Sequence, residues 1–255
     1  GSYQVAPGWQ LRGSLQHFKG DAIQNPGDIN VTAYSTLSLN DLERTSGDLG
    51  ISGEVGSHSL LLRAFGSREV SSYYDDPVAP TFISSRSPNR WRGLQLQDVV
   101  QIGRHVVTGG IDHTVASSAS EVFSAPGTPT SPYNPDAEIR STAAFAEGRV
   151  DLLGDGRLMG TVGGRLDRVT FDVDEATLMS GEVVHSNSES QTVFNPSGGL
   201  VYQPGGGIRL HASAGRSFVT PGAFNVAGYS EANAGPGAVV VTRGNAELRP
   251  ETGVS

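Results

Sequence analysis

Apolar and polar residues alternate with a period of two along most of this chain. In the segment 29–39, apolar side chains at odd positions alternate with polar ones at even positions, and the same pattern recurs at 48–55, 94–102 and 107–115. A period of two places successive side chains on opposite faces of a β-strand, and no comparable stretch shows the helical period of 3.6. The pattern predicts an all-β, antiparallel protein.

The connections between the predicted strands are of two kinds. Tight glycine-containing turns are predicted at 56–58, 103–105, 154–156 and 204–207, and long polar loops at 69–89, 117–137, 172–189 and 219–245. Short turns at one end and long loops at the other are typical of up-and-down outer-membrane β-barrels. With a further loop at 20–28, the segment 29–45 is predicted to be an external hairpin, which leaves about nine to ten spanning strands.

The two faces of the predicted strands differ in charge, as the segment 142–152 shows. Ala144, Ala146 and Val150 share one face, and the other carries charged residues. A charged side chain facing lipid at the bilayer centre costs about 2–4 kcal/mol, so the charged face is predicted to line a lumen. The predicted lumen-lining residues are Glu147, Arg149, Asp151, Arg165, Asp167 and Arg209. Trp9, Trp91, Phe171 and Phe218 are expected in aromatic girdles at the membrane surfaces.

A soluble antiparallel sandwich or barrel also alternates in this way, and it stays open as an alternative. The many Gly and Ala residues on the apolar face disfavour it, because such residues fill a packed core poorly but suffice against lipid.

Composition narrows the function. The net charge of −8 and the pI near 5.2 disfavour a nucleic-acid partner, and the chain has no cysteine. No apolar run approaches the ~18 residues of a membrane-spanning helix. We find no zinc-protease, phosphate-loop or nucleophile-elbow motif, and the six histidines lack ligand spacing. The prediction is no enzyme, no catalytic residue, no metal site and no cofactor.

Linked motifs in 194–253 carry a family resemblance. A strand ending in "GLVYQP" is followed by a strand ending in "GRSFVTP", and then by "GNAELRPE". The matching positions are Asn195, Pro196, Gly199, Leu200, Val201, Tyr202, Pro204, Gly215, Arg216, Phe218, Pro221, Gly244, Asn245, Leu248, Pro250 and Glu251. In order and spacing these motifs resemble the TonB-dependent outer-membrane receptor family, with weaker likenesses from about residue 46 and least support for 1–45.

The resemblance implies that residues 1–255 are part of a receptor barrel of about 22 strands with a plugged lumen. It implies energised uptake of a scarce large solute, such as a ferric siderophore or cobalamin, across the outer membrane of a Gram-negative bacterium. The implied partners are outer-membrane lipid, a metal-chelate or vitamin ligand, and the TonB–ExbB–ExbD complex acting through a plug. With neither plug, TonB box nor closing strand in the sequence, we expect a middle section of the barrel. A passive or structural outer-membrane barrel is the alternative function.

Candidate ligand contacts lie in a predicted external loop and in the lumen. Tyr73, Tyr74, Asp75 and Asp76 combine aromatic and acidic groups suited to capturing a chelate, although paired tyrosines also pack loops together. His211 is predicted to line the lumen, where it contacts ligand or forms a hydrogen bond. The acidic run at 172–175 is interpreted as a solvated loop rather than a cation site, since it lacks the pattern of a calcium loop.

Overall fold

The computed structural model describes residues 1–24, 39–76, 79–235, 238–245, 247–248 and 251–254. They form seventeen strands and one short helix. The elements are β1 (Ser2–Ala6), β2 (Trp9–Gln24), β3 (Leu39–Val55), β4 (His58–Tyr74), β5 (Ile83–Ile102), β6 (His105–Ser118), β7 (Glu121–Ala125), β8 (Thr128–Thr130), β9 (Ala137–Asp151), β10 (Leu158–Val173), β11 (Ala176–Thr177), β12 (Val183–Val184), β13 (Asn187–Gly205), β14 (Ile208–Val219), α1 (Ala223–Ala227), β15 (Tyr229–Gly235), β16 (Ala238–Arg243) and β17 (Glu251–Val254).

One antiparallel sheet dominates, in the order β1-β2-β3-β4-β5-β6-β9-β10-β13-β14-β17. Each strand pairs with its nearest long neighbour in sequence, so the topology is up-and-down, as predicted. Nine strands, β2–β6, β9, β10, β13 and β14, are 12 to 20 residues long, which confirms the predicted number. The described strands do not close into a barrel, and β1 and β17 form the two edges.

The connections alternate in length, also as predicted. The inner end of the sheet, as we call it, has short turns, such as those at Gly56 and Gly103, where a positive φ near 60° favours glycine. The outer end has the long connections. The 69–89 segment is nevertheless largely strand: β4 continues to Tyr74 and β5 begins at Ile83. Backbone pairing needs no apolar side chains, so these strands extend beyond their apolar portion.

The predicted external hairpin at 29–45 is wrong for its described part. Residues 39–45 belong to β3, which pairs in register with β2 from Trp9↔Gly53 to Gln24↔Leu39. The predicted loop at 20–28 likewise begins as strand, since β2 runs to Gln24. Residues 25–38, with most of the alternating segment 29–39, lie outside the described part of the chain.

Strand register gives the sheet two distinct faces. On the apolar face Leu166 lies opposite Ala144 and Phe194, and Val162 lies opposite Gly148. Large side chains there remain open: Val162 is 67% exposed and Leu94 55% exposed. A soluble sandwich would cover its apolar face with a second sheet, so the uncovered face disfavours that alternative. Charged side chains interrupt the apolar face toward both ends: Asp98 Oδ2 contacts His58 Nδ1 at 2.7 Å near the inner end, and Arg68 lies opposite Arg90 toward the outer end.

A small core covers the other face, the polar face, at its outer end. Val169, Phe171 and Val173 of β10 are buried against Leu178, Val184 and two residues of α1. The strands β11, β12, β15 and β16 form a second sheet beside this core, and β7–β8 form a hairpin that pairs with β5. The described residues include no helix long and apolar enough to cross a membrane.

The predicted aromatic girdle is largely wrong. Phe171 is fully buried in the outer-end core, and Phe218 packs against the same core. Trp91 lies on the polar face, where its ring contacts Phe65. Trp9 alone of the four lies on the apolar face, opposite Gly53. The prediction used only the distance of each ring from a strand end, which does not specify the face of the sheet. Successive residues point to opposite faces, so a shift of one residue moves a ring to the other face.

Candidate functional site

A cavity of about 750 Å³ opens on the polar face around the middle of β2–β5. We call it the polar-face cavity. Period-two alternation brings its residues together, since every second residue of β3, β4 and β5 points to this side. Its lining includes Gly222, Ala223 at the start of α1, and the side chains of Arg44, Asp48, Arg63, Phe65, Glu69 and Trp91.

Charges in the polar-face cavity are paired across strands. Arg44 forms an ion pair with Glu69. Arg63 Nε lies 3.5 Å from Asp48 Oδ2, and Ser14 Oγ donates a hydrogen bond of 2.5 Å to Asp48 Oδ1. These two ion pairs give the cavity wall hydrogen-bond donors and acceptors at fixed positions without a large net charge.

An aromatic surface lies beside these pairs. The Phe65 and Trp91 rings have centroids 4.6 Å apart at an interplanar angle of 40°, and the Arg63 guanidinium stands 5.3 Å from the Phe65 centroid. Trp91 is 48% exposed, so its ring is available from the cavity. Exposed aromatic area flanked by a few placed polar groups is the usual composition of a ligand-binding cavity.

A second, inner cluster joins β6 and β10 across β9. Arg165 forms an ion pair with Asp112 of β6, and its Nε donates to Asp167 at 3.0 Å. Asp167 is 2% exposed. A cavity of about 440 Å³ beside this cluster is also lined by Glu147, Asn195 and Arg216.

The predicted lumen-lining residues share the polar face. In the β9–β10 register, Glu147 lies opposite Gly163, Arg149 opposite Thr161 and Asp151 opposite Met159. Asp151 also organises the inner-end turn, because its carboxylate accepts the amide hydrogens of Gly154 and Gly156 at 2.9 Å. Arg209 and His211 lie in β14 near the turn at 206–207.

The five predicted ligand contacts do not form one cluster. Tyr73 to Asp76 lie at the outer end of β4, whereas His211 lies near the inner end of β14, with five strands of the sheet between β4 and β14. Tyr73 is 46% exposed and lies on the same face of β4 as Glu69, four residues further toward the outer end, beyond the lining of the polar-face cavity.

Tyr74, Asp75 and Asp76 are engaged in local structure. The Tyr74 hydroxyl donates to the Asp41 carboxylate at 2.9 Å. Asp75 accepts the Thr81 hydroxyl and the Thr81 and Phe82 amides, and these bonds lower the pKa of Asp75. Asp76 accepts the Ala79 amide at 3.0 Å. In the acidic run at 172–175, Asp172 pairs with Arg140 at 2.6 Å. Within the described residues, no group of three or more metal-ligating side chains occurs.

The sequence interpretation missed the polar-face cavity. Arg44 and Asp48 alternate with Leu49 and Ile51, and Arg63 and Phe65 alternate with Leu62 and Ala64, so the signal for a shared face was present. What the sequence did not supply is the register that aligns β3, β4 and β5.

Comparisons with known proteins agree with this architecture. The family model described as "TonB dependent receptor-like, beta-barrel" matches residues 1–255. Among solved structures, the ferric citrate transporter FecA in its unliganded form superposes with a TM-score of 0.64 at 16% identity, over 92% of this chain and 40% of that one. A mutant of the ferric enterobactin receptor PfeA from Pseudomonas aeruginosa gives a TM-score of 0.56 at 12% identity, over 98% of this chain and 46% of that one. The chain thus spans less than half the length of either protein. No curated protein matches.

Proposed function

We propose that this chain, which belongs to the TonB-dependent receptor β-barrel family, forms part of the barrel wall of an outer-membrane receptor that imports a scarce large solute. The observation that carries the proposal is the division of one nine-strand sheet into an uncovered apolar face and a face of paired charges and cavities. In a bilayer, the apolar face meets lipid and the polar face lines the lumen. Residues 1–255 would all belong to that barrel domain.

The polar-face cavity is the proposed point of ligand capture. It lies around the middle of β2–β5, with Gly222 and Ala223 of an outer-end connection on its wall, and it offers the Trp91 and Phe65 rings beside paired arginines. Tyr73, further toward the outer end on the same face of β4, adds a further aromatic group. A metal chelate or vitamin of the size of a ferric siderophore or cobalamin would bind through such mixed contacts. His211, deeper along the lumen wall, would meet the solute after capture.

Transport itself would require no covalent chemistry on this chain and no cofactor. Energy would come from the TonB–ExbB–ExbD complex of the inner membrane, acting on a plug inside the closed barrel. The two similar structures are named as a transporter of ferric citrate and a receptor for ferric enterobactin, which supports an iron chelate as the first class to test.

Uptake by cells carrying the full-length gene product tests the proposal. Labelled ferric citrate, a ferric catecholate, a ferric hydroxamate and cyanocobalamin are offered to cells with and without TonB. We expect one probe to bind in both strains and to enter only when TonB is present. Entry without TonB would identify a passive barrel, and binding of none of the probes would overturn the proposed ligand class.

Variants then locate the binding site. Trp91→Ala should weaken surface binding of that probe by about tenfold, since a stacked aromatic contributes about 1 kcal/mol or more. Trp9→Phe, on the apolar face, is the matched control and should bind as the parent does. Equal binding by the parent, Trp91→Ala and Trp9→Phe would place the site away from the polar-face cavity.

A further inference from the structure

The Phe65 ring lies against Trp91 on the polar face of the sheet. The two residues are diagonal neighbours on adjacent strands, since Phe65 of β4 is opposite Gly93 of β5 and Trp91 is opposite Ser67. Their ring centroids are 4.6 Å apart at an interplanar angle of 40°. Phe65 is partly buried, whereas Trp91 lines the polar-face cavity and is 48% exposed. The contact therefore supports Trp91 and still leaves about half of its surface open.

Gly93 makes this position of the Phe65 ring possible. An added Cβ at Gly93 would lie 2.5 Å from Phe65 Cζ and 2.8 Å from Phe65 Cε2, and 2.8 Å from the His113 carbonyl oxygen. The absence of a side chain lets the ring lie across β5, two residues from Trp91 on the same face. A larger residue at this position would push the ring away from its place.

Arg63 holds the Phe65 ring from within β4. Its guanidinium carbon lies 5.3 Å from the ring centroid, within the range of a cation–π interaction. Arg63 is itself held by Asp48 of β3, and Asp48 accepts a hydrogen bond from Ser14 of β2. Contacts that begin on β2 thus reach Trp91 on β5 through Arg63 and Phe65.

The exposure of Trp91 distinguishes this arrangement from the packing of a core. An unrestrained tryptophan side chain samples several rotamers. A ring that fills a core is buried, but Trp91 opens onto the cavity. Holding such a ring in one orientation before a ligand arrives lowers the entropic cost of binding.

We propose that Phe65, Arg63 and Gly93 are positioning residues of the ligand site, which hold Trp91 in a single orientation so that its exposed surface can stack against the solute. Phe65 acts on Trp91 directly, and Arg63 and Gly93 act through Phe65. The inference rests on the proposed function, because it takes the polar-face cavity as the point of capture. The orientation of Trp91 is nevertheless measurable without any ligand.

Fluorine NMR of the full-length protein in detergent, labelled with fluorotryptophan, tests the positioning. The Trp91 resonance is identified by its absence in Trp91→Phe, and its transverse relaxation reports how freely the ring moves. We expect the fast relaxation of a rigid ring in the parent, and slower relaxation or a second resonance in Gly93→Ala. Gly109→Ala, whose added Cβ would have its nearest neighbour at 3.6 Å, is the matched control and should relax as the parent does. Unchanged relaxation in Gly93→Ala would overturn the proposal.

Variants of Phe65 and Arg63 give the same test without a steric clash, and they decide the question if Gly93→Ala does not fold. Phe65→Leu removes the supporting ring and should make Trp91 mobile. Arg63→Lys keeps a cation beside the ring and should keep Trp91 rigid, whereas Arg63→Met should not. A rigid Trp91 in Phe65→Leu would overturn the proposal, and equal relaxation in the two Arg63 variants would remove Arg63 from it.

Surface binding connects the positioning to capture. Ferric citrate, a ferric catecholate, a ferric hydroxamate and cyanocobalamin are offered to cells without TonB. A probe that binds the parent should bind Phe65→Leu about three- to tenfold more weakly. Adding Gly93→Ala to Phe65→Leu should cause no further loss, because no ring is left to displace. Additive losses would overturn the action of Gly93 through Phe65.

The positioning and the proposed function fail independently. If no probe binds the parent, the proposed ligand class is contradicted, and the relaxation of Trp91 still decides the positioning. If a probe binds the parent and Phe65→Leu equally, the positioning role in the ligand site is overturned, whereas TonB-dependent entry of that probe would still support the proposed function.

Discussion

Several charged residues on the polar face are held in position by ion pairs between strands. Arg165 shows this most clearly, because it joins Asp112 and the nearly inaccessible Asp167 across three strands. Sequence alternation placed Arg165 and Asp167 on the lumen side. It did not predict Asp112 as the partner, since that contact depends on the register of β6, β9 and β10.

Replacing Arg165 should test this cluster. Arg165→Gln leaves two carboxylates without their cation; because Arg165 is 37% exposed and only Asp167 is buried, we expect a cost of about 1–3 kcal/mol, that of an unsatisfied buried acceptor. We expect a loss of this order in the free energy of unfolding in urea, measured on the full-length protein. Asp167→Asn in the same background should recover part of it. Arg149→Gln, an exposed site on the same face, is the control and should lie within about 0.5 kcal/mol of the parent.

Asp75 gives a prediction about pH. Its pKa is lowered from the ordinary 3.8 because the carboxylate accepts hydrogen bonds from Thr81 and Phe82. A lowered pKa stabilises the folded loop at pH values above 3.8, and that contribution is lost as pH falls toward the lowered value. Hydrogen exchange of the Thr81 and Phe82 amides, corrected for intrinsic rates, should show protection falling in that acidic range.

The control for this loop is Asp75→Asn. The neutral side chain should give weaker protection at neutral pH and no further change on acidification. Protection in the parent that is independent of pH would show that other contacts order the loop.

At the scale of elements, the register of the long strands assigns each side chain to one of the two faces of the sheet. For β9 this assigns Val150 to the apolar face, opposite Gly160, and Arg149 to the polar face, opposite Thr161. The assignment agrees with the alternation in the sequence. Because Val150 and Arg149 are neighbours in sequence but face opposite sides, substitutions at the two positions should have different effects.

Val150→Arg should impair membrane assembly of the full-length protein, whereas Arg149→Gln should not. The cost of an arginine facing lipid is about 2–4 kcal/mol near the midplane. Heat-modifiable migration in gels, with surface labelling of cells, measures the assembled fraction. Equal tolerance of the two substitutions would contradict the assignment of the faces.

Aromatic rings lying over glycines also join neighbouring strands. Phe145 covers Gly110, where an added Cβ would lie 2.5 Å from the ring and 2.5 Å from the Leu96 carbonyl oxygen. Gly110→Ala should therefore destabilise the protein by about 1–3 kcal/mol, as overpacking does. Gly109→Ala, whose Cβ would have its nearest neighbour at 3.6 Å, is the matched control in the same urea titration. A similar loss at both positions would show that strand propensity dominates instead.

Local alternation predicted the strands, their approximate number and the short turns, because each depends on neighbouring residues. It failed where the position of a residue depends on contacts between segments that are far apart in the sequence. Phe171 is buried because α1 and residues of the outer-end connections fold back onto β10, and Trp91 faces the cavity because of its register with β4. The small sheets at the outer end, within segments predicted as loops, likewise depend on pairing between residues as far apart as Val183 and Glu231.

At the scale of the whole molecule, the sheet has two edges that a membrane does not tolerate. In the described residues, β1 and β17 each pair on one side only, and they do not meet. Unpaired backbone groups in hydrocarbon cost several kcal/mol each, and only closed barrels avoid this cost with strands. In the proposed receptor wall, the nine long strands would therefore need further strands to complete a barrel.

Residues 1–255 expressed alone should consequently fail to form a folded membrane monomer. In detergent we expect them to show no heat-modifiable band and to be fully digested by proteinase K, or to associate through β1 and β17. The full-length gene product, refolded in parallel, should migrate as a compact species and resist digestion. A monomeric, protease-resistant form of residues 1–255 would mean that the edges pair with each other. A narrow barrel without room for a plug would then replace the receptor wall proposed above.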